Sequence, residues 1–137
     1  LAGLVQAMLS SGGDVKFLRD PTRGGLAGVV ADLVADTGLS LEIEEEFLPL
    51  PATVKHAAEL LGLDPLTVAN EGKVVAVVAK DDMERVLAAC REHPLGRKAA
   101  CIGIMKQGEP PLAELITEIG GRRIIQRPYG EELPRIC

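Results

Sequence analysis

The stretch that most constrains this fold is an unbroken aliphatic run, Val74-Val75-Ala76-Val77-Val78-Ala79. It has no polar face, so it reads as a central strand covered on both sides. Such a strand needs helices to cover it, and helical spacing recurs along the chain. Leu1, Leu4, Val5, Met8 and Leu9 share one face of a first helix, which is expected to be the end of an interdomain helix. Leu26, Val29, Val30, Leu33 and Val34 share a second face, closed by Gly38. Ala52 to Leu61 is a third helix, ended by Gly62. Asp81 to His93 is a fourth, with Met83, Val86, Leu87 and Cys90 inward. Asp81 or Asp82 is expected to cap it, and His93 to sit as a favourable charge at its end. Because 47% of the residues are hydrophobic but only two are Phe, one Tyr and none Trp, the core must be aliphatic.

Shorter segments supply the other strands. Val15 to Leu18 is one, and Ala99 to Met105, carrying Cys101 and Gly103, is another. Leu39 to Glu44 alternates apolar and polar residues, the pattern of a half-exposed strand. Leu115 to Ile119 and Arg122 to Ile125 flank Gly120-Gly121, which signals a two-residue hairpin. Strands joined by helices early and a hairpin late predict an α/β layered domain with a mixed sheet flanked by helices. The domain is expected over residues 1–127, with 128–137 as a flexible tail.

A net charge of −5 gives no electrostatic case for nucleic acid or an acidic membrane. No apolar run approaches the roughly 18 residues of a membrane span. The start lacks both a basic leader and a Met, which predicts a piece of a longer chain without a signal peptide. Three cysteines, Cys90, Cys101 and Cys137, include no C-x-x-C pair, which fits a reducing cytoplasm.

Three stretches are candidates for chemistry. In Asp20-Pro21-Thr22-Arg23-Gly24-Gly25, Asp20 suits a helix N-cap and Pro21 the first helical position. The two glycines cost roughly 1 kcal/mol each in a helix. Either a phosphate approaches the backbone there, or the helix packs tightly on a neighbouring strand. Asn70-Glu71-Gly72-Lys73 sits at the mouth of the aliphatic strand, as a plain turn or as a carboxylate held at a cleft. The third is the chain's last residue, Cys137, behind Gly130 and Pro134. From Tyr129 onward this tail spans at most roughly 30 Å. Cys90 and Cys101, on a helix face and in a strand, are expected to be shielded, leaving Cys137 as the reactive thiol. Glu44-Glu45-Glu46 reads as a solvated edge and His56 as a surface histidine.

Together, Asp20-Pro21-Thr22-Arg23-Gly24-Gly25-Leu26-Ala27, Val68-Ala69-Asn70-Glu71-Gly72-Lys73 and the terminal Pro134-Arg135-Ile136-Cys137 resemble the C-terminal half of the HypE family. These are hydrogenase maturation factors, relatives of aminoimidazole ribonucleotide synthetase and selenophosphate synthetase. The likeness covers the chain from Val15 onward, and the terminal tetrapeptide is its most specific part. It implies the fold of the C-terminal domain of aminoimidazole ribonucleotide synthetase. It also implies a cytoplasmic carbamoyl dehydratase that uses ATP with Mg, bound mainly by an N-terminal half not present here. Cys137 matches the carrier that accepts a carbamoyl group from the partner HypF. Dehydration then yields an S-cyanate, which passes to iron on a HypC–HypD complex as a cyanide ligand. Glu71 is the expected base. Asp20, Thr22, Arg23, Gly24, Gly25, Asn70 and Lys73 are the expected nucleotide-side residues, by analogy. The full-length protein is expected to be a homodimer, and this chain alone to be inactive. The alternatives are a non-catalytic thiol carrier or another enzyme of the aminoimidazole ribonucleotide synthetase type.

Overall fold

The computed structural model describes residues 1–128; Cys137 and the rest of the segment from Tyr129 lie outside the described residues. The chain forms two compact units and crosses between them after Asp20, Glu71 and Cys101.

The first unit joins Leu1–Asp20 to Gly72–Cys101. Helices α1 (Ala2–Ser10) and α4 (Met83–Glu92) pack together through Leu4, Met8, Val86 and Cys90. Strand β1 (Val15–Arg19) pairs antiparallel with β3 (Val75–Val78), matching Leu18 to Ala76 and Arg19 to Val75. Val15, Leu18, Val74, Ala76 and Val78 lie against the helical cluster. Among the described residues the aliphatic run is therefore not a central strand: the strand paired with it is β1, and every residue of β3 is only half-buried. A two-stranded sheet has no interior position, so its alternate valines, Val75 and Val77, face away from the helices. Asp82 stands at the N-cap position of α4 but makes no capping bond. Its carboxylate instead accepts the Asp14 N–H at 3.0 Å and pairs with Arg85. His93 ends α4 as a hydrogen-bond acceptor, with Nδ1 taking the Leu95 N–H at 3.2 Å.

The second unit joins Pro21–Glu71 to the chain from Ile102 onward. Its elements are α2 (Gly25–Thr37), β2 (Ser40–Glu44), α3 (Ala52–Leu61), β4 (Gly103–Lys106), β5 (Ala113–Ile116) and β6 (Arg122–Ile124). The sheet runs β4-β2-β5-β6, with β2 parallel to β5 and the other pairs antiparallel. This is the expected mixed sheet. Helix α2 meets β2 and β5, and Val29, Val30, Leu33, Leu41, Ile43, Ala113 and Leu115 are buried. Gly38 closes α2 at φ +67°, and Gly62 closes α3 at the same value, both as expected.

Strand β2 departs from its alternating pattern. It is an interior strand, and Ser40 and Glu42 are buried along with Leu41 and Ile43. Glu42 is covered by long side chains from β4, beside β2, and from β6, beyond β5. Lys106 Nζ and Arg122 Nη1 each lie 2.7 Å from Glu42 Oε1, and Arg122 also reaches Glu114 at 3.0 Å. Ser40 Oγ accepts the Leu112 N–H at 3.0 Å. Strand β4 is shorter than expected, so Cys101 lies outside it and is exposed. The hairpin is longer than a two-residue turn. Thr117 N–H donates to the Gly121 carbonyl at 2.8 Å, leaving Glu118, Ile119 and Gly120 as the loop. Gly120, at φ +80°, takes the left-handed position that a three-residue loop requires.

Two predictions follow from burial and charge. Burial pushes the Cys90 thiol up, so it should alkylate at neutral pH only on unfolding, whereas exposed Cys101 should label in the native state. Mass-resolved alkylation, with and without denaturant, reads this directly. The second concerns Glu42, whose hydrogen bonds from Lys106 and then Arg122 hold its carboxyl below the ordinary carboxylate range. A depressed folded pKa contributes stability above the unfolded value and loses it as pH falls through the folded one. Glu42→Gln should therefore lower the denaturation midpoint near pH 7, and the gap to wild type should narrow as acid titrates the Glu42 carboxylate.

Candidate functional site

Helix α2 starts at Gly25, four residues later than the Asp20-Pro21 pattern suggested. Asp20 is exposed and does not cap it; the N-cap residue is Gly24, at φ +67°. Pro21 to Arg23 form an approach loop rather than a first turn, because Gly24 and Gly25 both take positive φ before the helix can begin. A side chain on Gly25 would collide with the carbonyls of Leu66 and Val68, the latter at 2.6 Å. The Ala27 N–H, in the first turn of the helix, donates to the Leu66 carbonyl at 2.8 Å. Close backbone packing thus accounts for Gly25. The neighbour is the loop over residues 66–68, not a strand.

That loop is built locally. Asp64 Oδ1 accepts the Leu66 N–H at 3.0 Å, and the Asp64 carbonyl accepts from the Thr67 N–H at 3.0 Å and its hydroxyl at 2.8 Å. Asp64 thereby closes a tight turn on itself. Asn70 continues the clamp, its side-chain amide donating to the Val68 carbonyl at 3.0 Å. Its backbone N–H donates to the Pro21 carbonyl, also at 3.0 Å. The stretches Pro21–Gly25 and Leu66–Asn70, distant in sequence, are therefore one backbone assembly. Glu71 follows directly and is exposed, as is Lys73. Glu71 precedes β3 by several residues rather than standing at its edge. Asp20 and Lys73 belong to the first unit, while Thr22, Arg23, Gly24, Gly25, Asn70 and Glu71 belong to the second.

The last described residue also meets this assembly. A Cβ on Gly24 would touch the Pro128 ring at 3.4 Å. Pro128 lines a groove of about 280 Å³ with Ala27, Asp64, Thr67, Arg123 and Ile125. Arg127 beside it pairs with Asp32 of α2 at 3.1 Å. Sequence reasoning missed Asp64 and the seat of Pro128. The Gly24-Gly25 pair was the available signal, but it does not say which segment comes close. Among the described residues, no group of three or more His, Cys, Asp or Glu is placed to hold a metal ion. No described helix is long and apolar enough to cross a membrane.

Residues 2–111 match the family model for the AIR synthase related protein, C-terminal domain. The chain belongs to that family. Within it, the likeness narrows to one kind of protein. The chain is 46% identical, over its whole length, to carbamoyl dehydratase HypE of Rhizobium leguminosarum bv. viciae, and covers 39% of that protein. It is 47% identical over its whole length to carbamoyl dehydratase HypE of Bradyrhizobium diazoefficiens, covering 40% of it. The chain thus spans well under half the length of these relatives. Its fold superimposes on the crystal structure of E. coli HypE with a TM-score of 0.91 at 44% identity, covering 100% of this chain and 42% of that one. A HypE–HypF complex matches 92% of this chain and 41% of that one, with a TM-score of 0.85 at 40% identity. A HypE structure in complex with ATP covers 100% of this chain and 42% of that one, with a TM-score of 0.90 at 35% identity.

The glycines provide a test of this packing. Gly25→Ala should cost about 3 kcal/mol, from left-handed strain and the collision with the 66–68 carbonyls. Gly38→Ala, at a similar φ but with nothing within 4 Å, should cost only about 1 kcal/mol. Equal shifts in denaturation midpoint would contradict the packing account.

Proposed function

We propose that this chain is the C-terminal part of a carbamoyl dehydratase of hydrogenase maturation, acting in the cytoplasm as part of a longer, homodimeric protein. The observation that carries the reading is the seat of Pro128 on Gly24. It roots a tail ending in Cys137 at the assembly where Asn70 ties the Glu71 loop to Pro21. Nine residues follow Pro128, the last of them Cys137, a reach of at most about 30 Å.

In this reading HypF transfers a carbamoyl group to the Cys137 sulfur, giving an S-carboxamide. ATP, with Mg, would phosphorylate the amide oxygen, releasing ADP and one N–H proton, and so turn that oxygen into a leaving group. Glu71 accepts the remaining N–H proton as phosphate departs, and the C–N bond becomes the triple bond of an S-cyanate. Passage of the cyano group to iron on the HypC–HypD complex as cyanide would draw two electrons from that complex and return the Cys137 sulfur as thiolate. Glu71 is exposed in this chain, so the desolvation that suits a general base must come from the docked tail and nucleotide. Asn70 holds the loop through Val68 and Pro21, which supports a positioning role for it. Lys73, Asp20, Thr22 and Arg23 border the same stretches and are assigned to the phosphate side. The α2 N-terminus contributes less to phosphate than its glycines imply, because the Ala27 N–H is already engaged by Leu66.

The exposure of Glu71 favours one second reading, a carrier module that presents the thiol while chemistry occurs elsewhere. Glu71→Gln in the full-length protein separates the two. The substitution keeps shape and removes the base, so carbamoylation of Cys137 should proceed while dehydration falls by at least about a hundredfold. Intact mass after incubation with HypF, and then with ATP, follows both steps. Dehydration at the wild-type rate would leave Glu71 as a turn residue.

A further inference from the structure

A carboxylate outside the sequence motifs links the two ends of the proposed site. Asp64 does three things at once. Its Oδ1 accepts the Leu66 N–H, its carbonyl accepts from Thr67, and its Oδ2 pairs with the Arg123 guanidinium. Leu66 in turn holds Ala27 at the head of α2, and Asn70 ties the end of the same loop to Pro21. Arg123 lies in β6, which ends at Ile124 with three residues between it and Pro128. Thus Asp64 touches the loop leading to Glu71 with one oxygen and the strand leading to Cys137 with the other. Between Leu61 and Val75 no helix or strand intervenes, so bonds of this kind set where the loop sits. Asp64 is half-buried, and its side chain is 28% exposed against 46% for Arg123. The pair is therefore more sheltered on the carboxylate side, where position matters.

We propose that the Asp64–Arg123 ion pair is a positioning device for dehydration. It fixes the loop carrying Glu71 in register with the strand that delivers the carbamoylated thiol. Neither residue touches the reacting atoms. The inference rests on the reading of Glu71 as the base. Its consequence is a split between steps: attachment of the carbamoyl group needs only the tail, whereas loss of water needs loop and tail together.

The informative variant is Asp64→Asn, made in the full-length protein. An amide oxygen still accepts the Leu66 N–H and keeps the turn, but the charge that holds Arg123 is gone. Carbamoylation by HypF should be unchanged, and single-turnover dehydration with ATP should slow about tenfold, since small misplacements are costly in rate. Arg123→Ala should match it, Arg123→Lys should recover most of the rate, and the double variant should be no slower than either single one. Thermal melts of each variant give the structural control. Dehydration at the wild-type rate in Asp64→Asn, additive effects in the double variant, or parallel loss of both steps would each overturn the proposal. Glu71→Gln, assayed alongside, separates the two ideas. If it is blocked while Asp64→Asn is normal, the base stands and the pair falls. If it dehydrates normally, the base assignment falls and this role for the pair falls with it.

Discussion

The second unit depends on a side chain that is missing. Gly25 lets the carbonyls of Leu66 and Val68 come against the start of α2, where any Cβ would meet them. The Leu66 carbonyl then accepts from Ala27, which satisfies a helix N–H that otherwise lacks an intrahelical partner. A loop of more than ten residues with no regular structure is thereby given a fixed place. Within the second unit, the other close approaches adjoin this contact. Asn70 reaches Pro21, Glu71 follows Asn70, and Pro128 seats on the adjoining Gly24. A strained pair of glycines is tolerated because the closeness it permits organises the loop.

The sheet behind the site solves a different problem. Its interior strand carries an acid, Glu42, which would be costly to bury alone. Lys106 and Arg122 come from β4 and β6, on either side of β2, and meet at one carboxylate oxygen. The arrangement ties the antiparallel edge strand β4 to the β5–β6 hairpin. Lys55 does similar work at the rim, bridging Glu45 and Glu118 at 3.3 and 3.1 Å. Its ammonium is held above the ordinary lysine value by the Glu118 hydrogen bond first and the Glu45 one second.

Helices were legible wherever a 3.6-residue period met a glycine stop. Gly38 and Gly62 both sit at φ +67°, where the pattern placed them. Strands were legible as strands but not as positions. The six-residue aliphatic run looked central and is a strand of a two-stranded sheet, while the alternating segment looked half-exposed and is interior. Burial of a strand is decided by its partners, and those lie far along the chain. Cys101 misled for the same reason: the apolar stretch around it begins before the ladder does, at Gly103. For the site, the motifs located the right backbone but not the cause of its geometry. Asp64 belongs to none of the recognised stretches, and its role emerges only when Leu66 and Arg123 are seen at its two oxygens.

The path of the chain between the units has a consequence for how the protein is made. Val15 of β1 pairs with Val78 of β3, and the whole of Pro21–Glu71 lies between them in sequence. The first unit therefore cannot close until the middle segment has been synthesised. A long loop must be closed before the β1–β3 ladder returns any stabilisation. Until then the apolar residues of α1 and β1 wait without their partners on α4 and β3. A cut after Asp20 or after Glu71 would separate halves that complete one another. A rearranged chain in which Gly72–Cys101 directly followed Leu1–Asp20 would shorten that wait, and should fold its first unit early.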